Sequence, residues 1–200
     1  MKAKANKKEL SIIINEMKKP SPKITYIKKI LKQYRIADIN LNSKYYHGKT
    51  LLHYAIEYNL NCLIQPFIQS GCNPNICDDN YLSPLHLAVI KKNAKAIKIL
   101  IKNGADINIT GEFEQTPLHL ATTYGNLKFM KLLIHNNADI MQVDEKNLSV
   151  LDYANDEKDL KMTNFYIQEE NYSFISMEIG LYLEKLNLSI EELINEYFIE

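Results

Sequence analysis

The sequence contains no tryptophan and only three cysteines, six glycines and six prolines among its 200 residues. Cys62, Cys72 and Cys77 are odd in number and lack CxxC spacing, which argues against a disulfide framework and favours a reduced setting. No apolar run approaches the roughly 18 residues that a membrane helix needs, and Ile12 to Ile14 is too short for the core of a signal peptide. We therefore expect a cytoplasmic chain without a membrane span. An effector that is secreted into a host cell is left open as an alternative.

The formal net charge at pH 7 is zero, because 24 Lys and Arg balance 24 Asp and Glu. The balance conceals a gradient: residues 1–35 hold 11 basic and 2 acidic residues, whereas residues 139–200 hold 15 acidic residues and 4 lysines. Two solvated ends are the simplest interpretation. The alternative is a basic N-terminal segment that binds nucleic acid or an anionic membrane. Arginine is scarce in this segment, so nucleic acid is not the expected partner.

A heptad occurs four times at a constant step of about 33 residues, the spacing of a known repeat class. It reads KTLLHYA at 49–55, LSPLHLA at 82–88, QTPLHLA at 115–121 and LSVLDYA at 148–154. The hydroxyl residue at its second position can cap the start of a helix, and proline suits the first helical position because the missing N–H costs nothing there. Four copies in phase indicate a protein built from stacked repeats.

This heptad resembles the T-P-L-H-x-A motif of the ankyrin repeat, a family with the same period of about 33 residues. Gly71 and Gly104, with Asn137 in the third copy, stand where the second helix of each copy ends and a left-handed residue is needed. Lys92 stands where the family has glycine between the two helices, and Met141 replaces the hairpin asparagine. The resemblance implies an all-α ankyrin-repeat solenoid of helix-turn-helix units with short hairpin fingers, capped at both ends by helices.

We predict three parts in the chain. Residues 1–48 form a helical N-terminal cap and the first hairpin. The cap is a degenerate repeat, in which Ala37-Asp38-Ile39-Asn40 corresponds to the loops of the later repeats. The first hairpin then holds a short insertion relative to the others. The second part comprises four ankyrin-type repeats over 49–170, at 49–81, 82–114, 115–147 and 148–170. Residues 171–200 form a C-terminal helical extension that either caps the stack or docks on a partner.

The residues of the repeated motif are expected to have a structural role: Thr50, His53, Ser83, His86, Thr116, His119, Ser149 and Asp152. The histidines occur once per unit, and stacked helices lie roughly 8–10 Å apart. Two nitrogen ligands of one zinc ion lie within roughly 4 Å of each other, so these histidines cannot share a metal. No nucleophile motif or phosphate-binding loop accompanies them. We expect no catalytic residue, no metal site and no cofactor, and therefore no enzyme.

The resemblance implies a non-enzymatic module, or scaffold, that binds another protein through the concave face of the hairpins and inner helices. Mapped by phase, the partner-binding residues are Tyr46, Glu57, Tyr58, Asp79, Tyr81, Lys91, Glu112, Phe113, Glu114, Tyr124 and Glu145. Exposed aromatic side chains are the usual anchors of protein interfaces. Acids outnumber lysines on this face, which favours a partner with a basic segment, and we expect a monomer. One alternative is an inhibitor, immunity or effector-type protein that uses the C-terminal helices.

Overall fold

A computed structural model describes residues 7–36 and 40–156. Helices are the regular elements of this part of the chain, as the sequence predicts. The first pair is α1 (Lys7–Met17) and α2 (Ile24–Ile36). Three further pairs and a single helix follow: α3 (Leu51–Glu57) and α4 (Asn61–Gln69), α5 (Pro84–Ile90) and α6 (Ala94–Lys102), α7 (Pro117–Thr123) and α8 (Leu127–Ile134), and α9 (Val150–Asp156).

The chain divides into two compact units, Met1–Tyr153 and Ala154–Glu200. Only Ala154–Asp156 of the second unit are described, so the predicted end of the fourth repeat and the predicted C-terminal helices lie outside the described residues. No helix among the described residues is long and apolar enough to cross a membrane.

The helices of the first unit stack in two layers. The inner layer comprises α1, α3, α5 and α7, in which each helix packs on the next. The outer layer comprises α2, α4, α6 and α8, which pair with the inner helices; α2 packs on α4 and α4 on α6. The first pair therefore stacks on its neighbours as the later pairs do, although it lacks the heptad.

The core repeats with the same period as the heptad. Each inner helix of the three full copies buries its motif leucine and alanine completely: Leu52, Leu85 and Leu118, with Ala55, Ala88 and Ala121. The outer helices α4, α6 and α8 each bury three residues at one phase, for example Leu63, Ile64 and Phe67 in α4 and Ala96, Ile97 and Leu100 in α6. A fully buried Leu, Ile or Phe stabilises a fold by about 1.5–3 kcal/mol, so the layers hold together mainly through this repeated apolar contact.

The helix ends form as the sequence predicts. Ser83 Oγ accepts the N–H of His86 at 3.3 Å, and Pro84 begins α5. The outer helices end in left-handed residues, with φ of 105° at Gly71, 85° at Gly104 and 67° at Asn137. Lys92 holds the left-handed position between α5 and α6 with φ 53°. A residue with a Cβ atom adopts this conformation at a cost, which glycine avoids.

The predicted register of the first loop is wrong, because Asn42 rather than Asn40 takes the repeated position. The N–H of Asn42 bonds to Asn40 Oδ1 at 2.9 Å, and the N–H of Asn75 bonds to Asn73 Oδ1 at the same distance. Asn42 Oδ1 also accepts the N–H of Asn73, just as Asn75 Oδ1 accepts the N–H of Asp106. Asn42 is therefore in phase with Asn75, one repeat later, and the first hairpin holds no extra residues. The letters Ala-Asp-Ile-Asn at 37–40 match the later loops, but the amide oxygen that accepts a bond from the next loop is that of Asn42.

Candidate functional site

Four short hairpins project between the repeats, and we call them fingers one to four: residues 45–49, 78–82, 111–115 and 144–148. In each finger the N–H of the first residue bonds to the carbonyl of the fifth, at 2.8 to 3.0 Å. Adjacent fingers also bond in pairs, through Asp79 N–H to His47 O and through Glu145 N–H to Phe113 O, both at 3.1 Å. Fingers one and two, and fingers three and four, are thus linked through their backbones.

The fingers alternate between two constructions. In finger two, Asp78 Oδ1 accepts the N–H groups of Asn80 and Leu82 at 2.9 and 3.0 Å. Asp144 does the same in finger four, where Lys146 and Leu148 donate at 2.9 Å. Fingers one and three lack this aspartate and instead hold two consecutive left-handed residues: His47 and Gly48, and Phe113 and Glu114.

Four aromatic side chains of the predicted face are exposed to solvent. The exposed fractions are 79% for Tyr46, 69% for Tyr81, 53% for Phe113 and 48% for Tyr124. Tyr81 and Phe113 also have left-handed backbones, with φ of 58° and 56°. A non-glycine residue in that conformation costs about 1–3 kcal/mol, and such residues cluster at functional sites. Neither the exposure nor the backbone of Tyr81 and Phe113 favours stability.

Tyr58 differs from the other aromatic residues because it is half-buried. Its ring stacks on the ring of Tyr54, with centroids 6.3 Å apart and planes 9° apart. Tyr58 follows the last residue of α3, and Lys91 and Tyr124 follow α5 and α7 at the same phase. These three residues line up along the inner layer beside the fingers.

The charged residues of the predicted face fall into two groups. Glu57 is partly buried and its carboxylate lies 2.9 Å from Lys49 Nζ, so its charge is already balanced within the protein. The other charged residues of the prediction are exposed: Asp79, Lys91, Glu112, Glu114 and Glu145. Asp79, Glu112 and Glu145 each occupy the second position of their finger, in fingers two, three and four. The exposed charged residues of the prediction are therefore four acids and one lysine, and Lys146 of finger four adds a second exposed lysine to this face.

A polar groove of about 360 Å³ opens between the turns that follow α3 and α5. Glu57 and Lys91 line it, together with Asn59 and Asn93. The Asn93 amide donates to Asn59 Oδ1 at 3.1 Å and to Asn61 Oδ1 at 2.8 Å, which holds the two turns together. The groove thus presents carboxylate, amide and ammonium groups next to the aromatic residues.

A tyrosine that the sequence analysis did not single out connects fingers three and four. Tyr153 Oη donates to Asp144 Oδ2 at 2.6 Å and accepts from Gln115 Nε2 at 2.7 Å. Burial acts to raise the pKa of Asp144, but the hydrogen bonds from Tyr153 and from two backbone N–H groups outweigh it, so the pKa is lowered. The sequence offers one hint, because Tyr54 and Tyr153 occupy the same position of the heptad.

The histidine of the heptad bonds one repeat to the next. His86 Nδ1 accepts the N–H of Ser83 at 3.2 Å, and His86 Nε2 lies 3.0 Å from the carbonyl oxygen of Gln115. Because the N–H must donate and the carbonyl must accept, the proton of the neutral ring lies on Nε2. The same two bonds recur at His53, with Thr50 and Leu82, and at His119, with Thr116 and Leu148. Both nitrogens of each ring are therefore engaged.

Burial keeps these histidines neutral. It lowers the pKa of His86 to about 4, although the bond to the Gln115 carbonyl opposes this effect. Burial likewise lowers the pKa of His53 and of His119. In the fourth copy Asp152 Oδ2 accepts the N–H and the hydroxyl of Ser149, both at 2.7 Å. A carboxylate has no proton to donate onward, so the series of histidine–carbonyl bonds stops at this copy.

Side chains that could bind a metal ion are not clustered in the described part of the chain. No cluster of three or more His, Cys, Asp or Glu side chains within residues 7–36 and 40–156 is placed to hold a metal ion. Burial raises the pKa of Cys72 to about 12, so this thiol stays protonated and is a poor nucleophile.

Comparison with known protein families assigns these features to one family. Residues 52–144 match the family model of ankyrin repeats, in three copies. Residues 52–144 are ankyrin repeats. Ankyrin repeats are in general modules for protein–protein interaction and typically have no enzymatic activity. No curated protein matches this ankyrin-repeat chain.

Proposed function

We propose that this ankyrin-repeat protein binds a partner protein through the fingers and the adjoining ends of α3, α5 and α7. The observation that supports the proposal most strongly is the exposure of Tyr46, Tyr81 and Phe113 on three successive fingers. Large aromatic side chains lose little conformational entropy on binding and bury much area, which makes them frequent hot spots of interfaces. Here they cost the free protein stability, since two of them have left-handed backbones.

The charges of the same surface favour a partner with a basic segment. Asp79, Glu112 and Glu145 recur at the second position of fingers two, three and four, and stacked repeats are roughly 8–10 Å apart. Basic side chains at every third position of a polyproline II peptide lie on one side and are separated by about 9 Å, so such a segment can meet one carboxylate at each of these fingers. These exposed pairs would contribute mainly to the association rate and to specificity, while the aromatic residues would supply most of the affinity.

The test compares a triple variant with a matched control. Tyr46, Phe113 and Tyr124 are replaced together by Ala; the control is Tyr26→Ala, whose ring is 45% exposed but lies on the outer layer. Tyr58 stays unchanged because its stack on Tyr54 would confound binding with stability. Partners captured by the wild-type protein are identified by mass spectrometry, and the dissociation constant of a purified partner is then measured by calorimetry.

The triple variant should bind the partner about 100-fold more weakly or worse, because loss of each hot-spot residue typically costs about 2 kcal/mol or more and the effects need not be additive. The control should bind like the wild-type protein. Unchanged affinity in a folded triple variant would refute the proposed face.

A further inference from the structure

The four outer helices carry no acidic residue at all. Six of their eight lysines lie in two rows that cross the layer at the period of the repeat, and Lys28 and Lys102 lie outside these rows. The first row contains Lys29, Lys95 and Lys128, and the second contains Lys32, Lys98 and Lys131. Cys62 and Gln65 of α4 occupy the remaining place of each row, and every position of both rows is exposed. We call these six lysines the lysine stripe.

The stripe is held in a fixed geometry by the fold. Within one helix, the two lysines are one turn apart, which places their Cβ atoms about 5–6 Å from each other. Neighbouring helices are roughly 8–10 Å apart, so three steps from α2 to α8 give a length of about 24–30 Å.

We propose that the lysine stripe binds the phosphate backbone of double-stranded nucleic acid. This site lies on the outer layer and is independent of the partner-binding face proposed above. It also differs from the predicted basic N-terminal segment, because four of its six lysines belong to α6 and α8. Lysines that neutralise phosphates release the counterions that are condensed on a nucleic acid. A row of lysines therefore binds a nucleic acid far more strongly than it binds single carboxylates.

The shape of the stripe favours a linear polyanion over a membrane surface. It is long and narrow, and exposed Asp106 and Asp139 follow α6 and α8 at the same phase. A flat anionic membrane would meet these carboxylates together with the lysines, whereas a duplex that lies along the stripe need not. The stripe contains no arginine and no aromatic residue, so it lacks the side chains that commonly read guanine or stack on bases. Binding should therefore be independent of base sequence.

The proposal is tested by titrating the full chain with a 20-base-pair duplex of random sequence at several salt concentrations. Six phosphate contacts predict a slope of about −5 for the logarithm of the binding constant against the logarithm of salt concentration. Raising the salt from about 50 to about 200 mM should thus weaken binding about a thousandfold. Replacing Lys29, Lys95 and Lys128 by Gln should bring the slope to about −3, since each lost contact removes about one unit.

Two control variants are matched in number. Lys44, Lys92 and Lys146 are exposed lysines outside the stripe, and their replacement by Gln should leave the slope unchanged. Replacing Lys29, Lys95 and Lys128 by Arg keeps the charges and should also preserve the slope.

Several results would overturn the proposal. One is the absence of duplex binding at the low-salt end of the titration, and another is an equal loss in the Gln control. Binding that survives the stripe variant but disappears when Lys2, Lys4, Lys7 and Lys8 become Gln would assign it to the N-terminal segment. Binding to phosphatidylserine vesicles that depends on the stripe, without duplex binding, would identify a membrane-binding surface instead.

Discussion

Mild acid should destabilise the repeat array through His86, because protonation would put a charge on a buried ring and would remove the Nδ1 acceptor of the Ser83 N–H. The pKa of His86 is lowered from 6.5 to about 4 in the folded protein. Between these two values the unfolded chain binds a proton that the folded chain does not, so the free energy of unfolding falls as the pH falls. The contribution of His86 is fully present above pH 6.5 and is lost progressively as the pH drops toward 4.

The size of the effect follows from the two pKa values. At pH 5 the unfolded ring is almost fully protonated and the folded ring is almost fully neutral, which lowers the free energy of unfolding by about 2 kcal/mol relative to pH 7. His53 and His119 shift in the same direction and add to the loss. The hydrogen-bonded carboxylates Glu16 and Asp144 have lowered pKa values and act only at more acidic pH.

The assay is urea denaturation followed by circular dichroism at pH 7 and pH 5. His86→Gln should be less stable than the wild-type protein at pH 7. The difference in its free energy of unfolding between pH 7 and pH 5 should be about 2 kcal/mol smaller than in the wild-type protein. The control is His135→Gln, which removes an exposed imidazole outside the repeated motif. A wild-type protein that is equally stable at pH 5 and pH 7 would refute the reasoning, and so would an unaltered pH dependence in His86→Gln.

Two further predictions concern left-handed residues, and both are measured as free energies of unfolding. Lys92→Gly should stabilise the protein by about 1 kcal/mol, because Lys92 is exposed and has φ 53° where the next repeat has Gly125 at 59°. Lys91→Gly, one residue earlier in a helical end conformation with φ −77°, is the control and should not stabilise. Gly48→Ala should destabilise by about 2 kcal/mol or more, since an added Cβ would lie 2.1 Å from Asp79 Oδ1 and 2.6 Å from the backbone nitrogen of Asp79. Ala at Gly125, where φ is 59°, has a similar left-handed penalty but open space, so an equal loss in Gly48→Ala and Gly125→Ala would show that the close approach is unimportant.

The features of the fold that depend on local chemistry were predictable from the sequence. Caps such as Ser83, first-turn prolines such as Pro84 and left-handed ends such as Gly71 each depend on residues a few positions away, and their repetition reinforces the pattern. The first loop was less predictable, because Asn40 and Asn42 are both suitable acceptors. The choice between them depends on a bond to Asn73, which belongs to the next repeat.

The candidate site was predictable in outline only. The phase of the repeat is enough to place Tyr46, Tyr81, Phe113 and Tyr124 at exposed positions. It cannot show that Tyr58 stacks on Tyr54 or that Glu57 pairs with Lys49, because both depend on side-chain conformations within one repeat. The lysines of the stripe recur with the same period in the sequence. Their position on one surface follows only from the structure, in which α2, α6 and α8 share the outer layer.

The most direct test of the account is hydrogen exchange of the protein alone and in complex with a captured partner. If the fingers and the ends of the inner helices form the interface, amide protection should increase in residues 45–49, 78–82 and 111–115 and beside Tyr124. Outer helices α4 and α6 should exchange as they do in the free protein. Protection confined to the outer layer, with no change in the fingers, would contradict the central claim that this ankyrin-repeat protein holds its partner with its fingers.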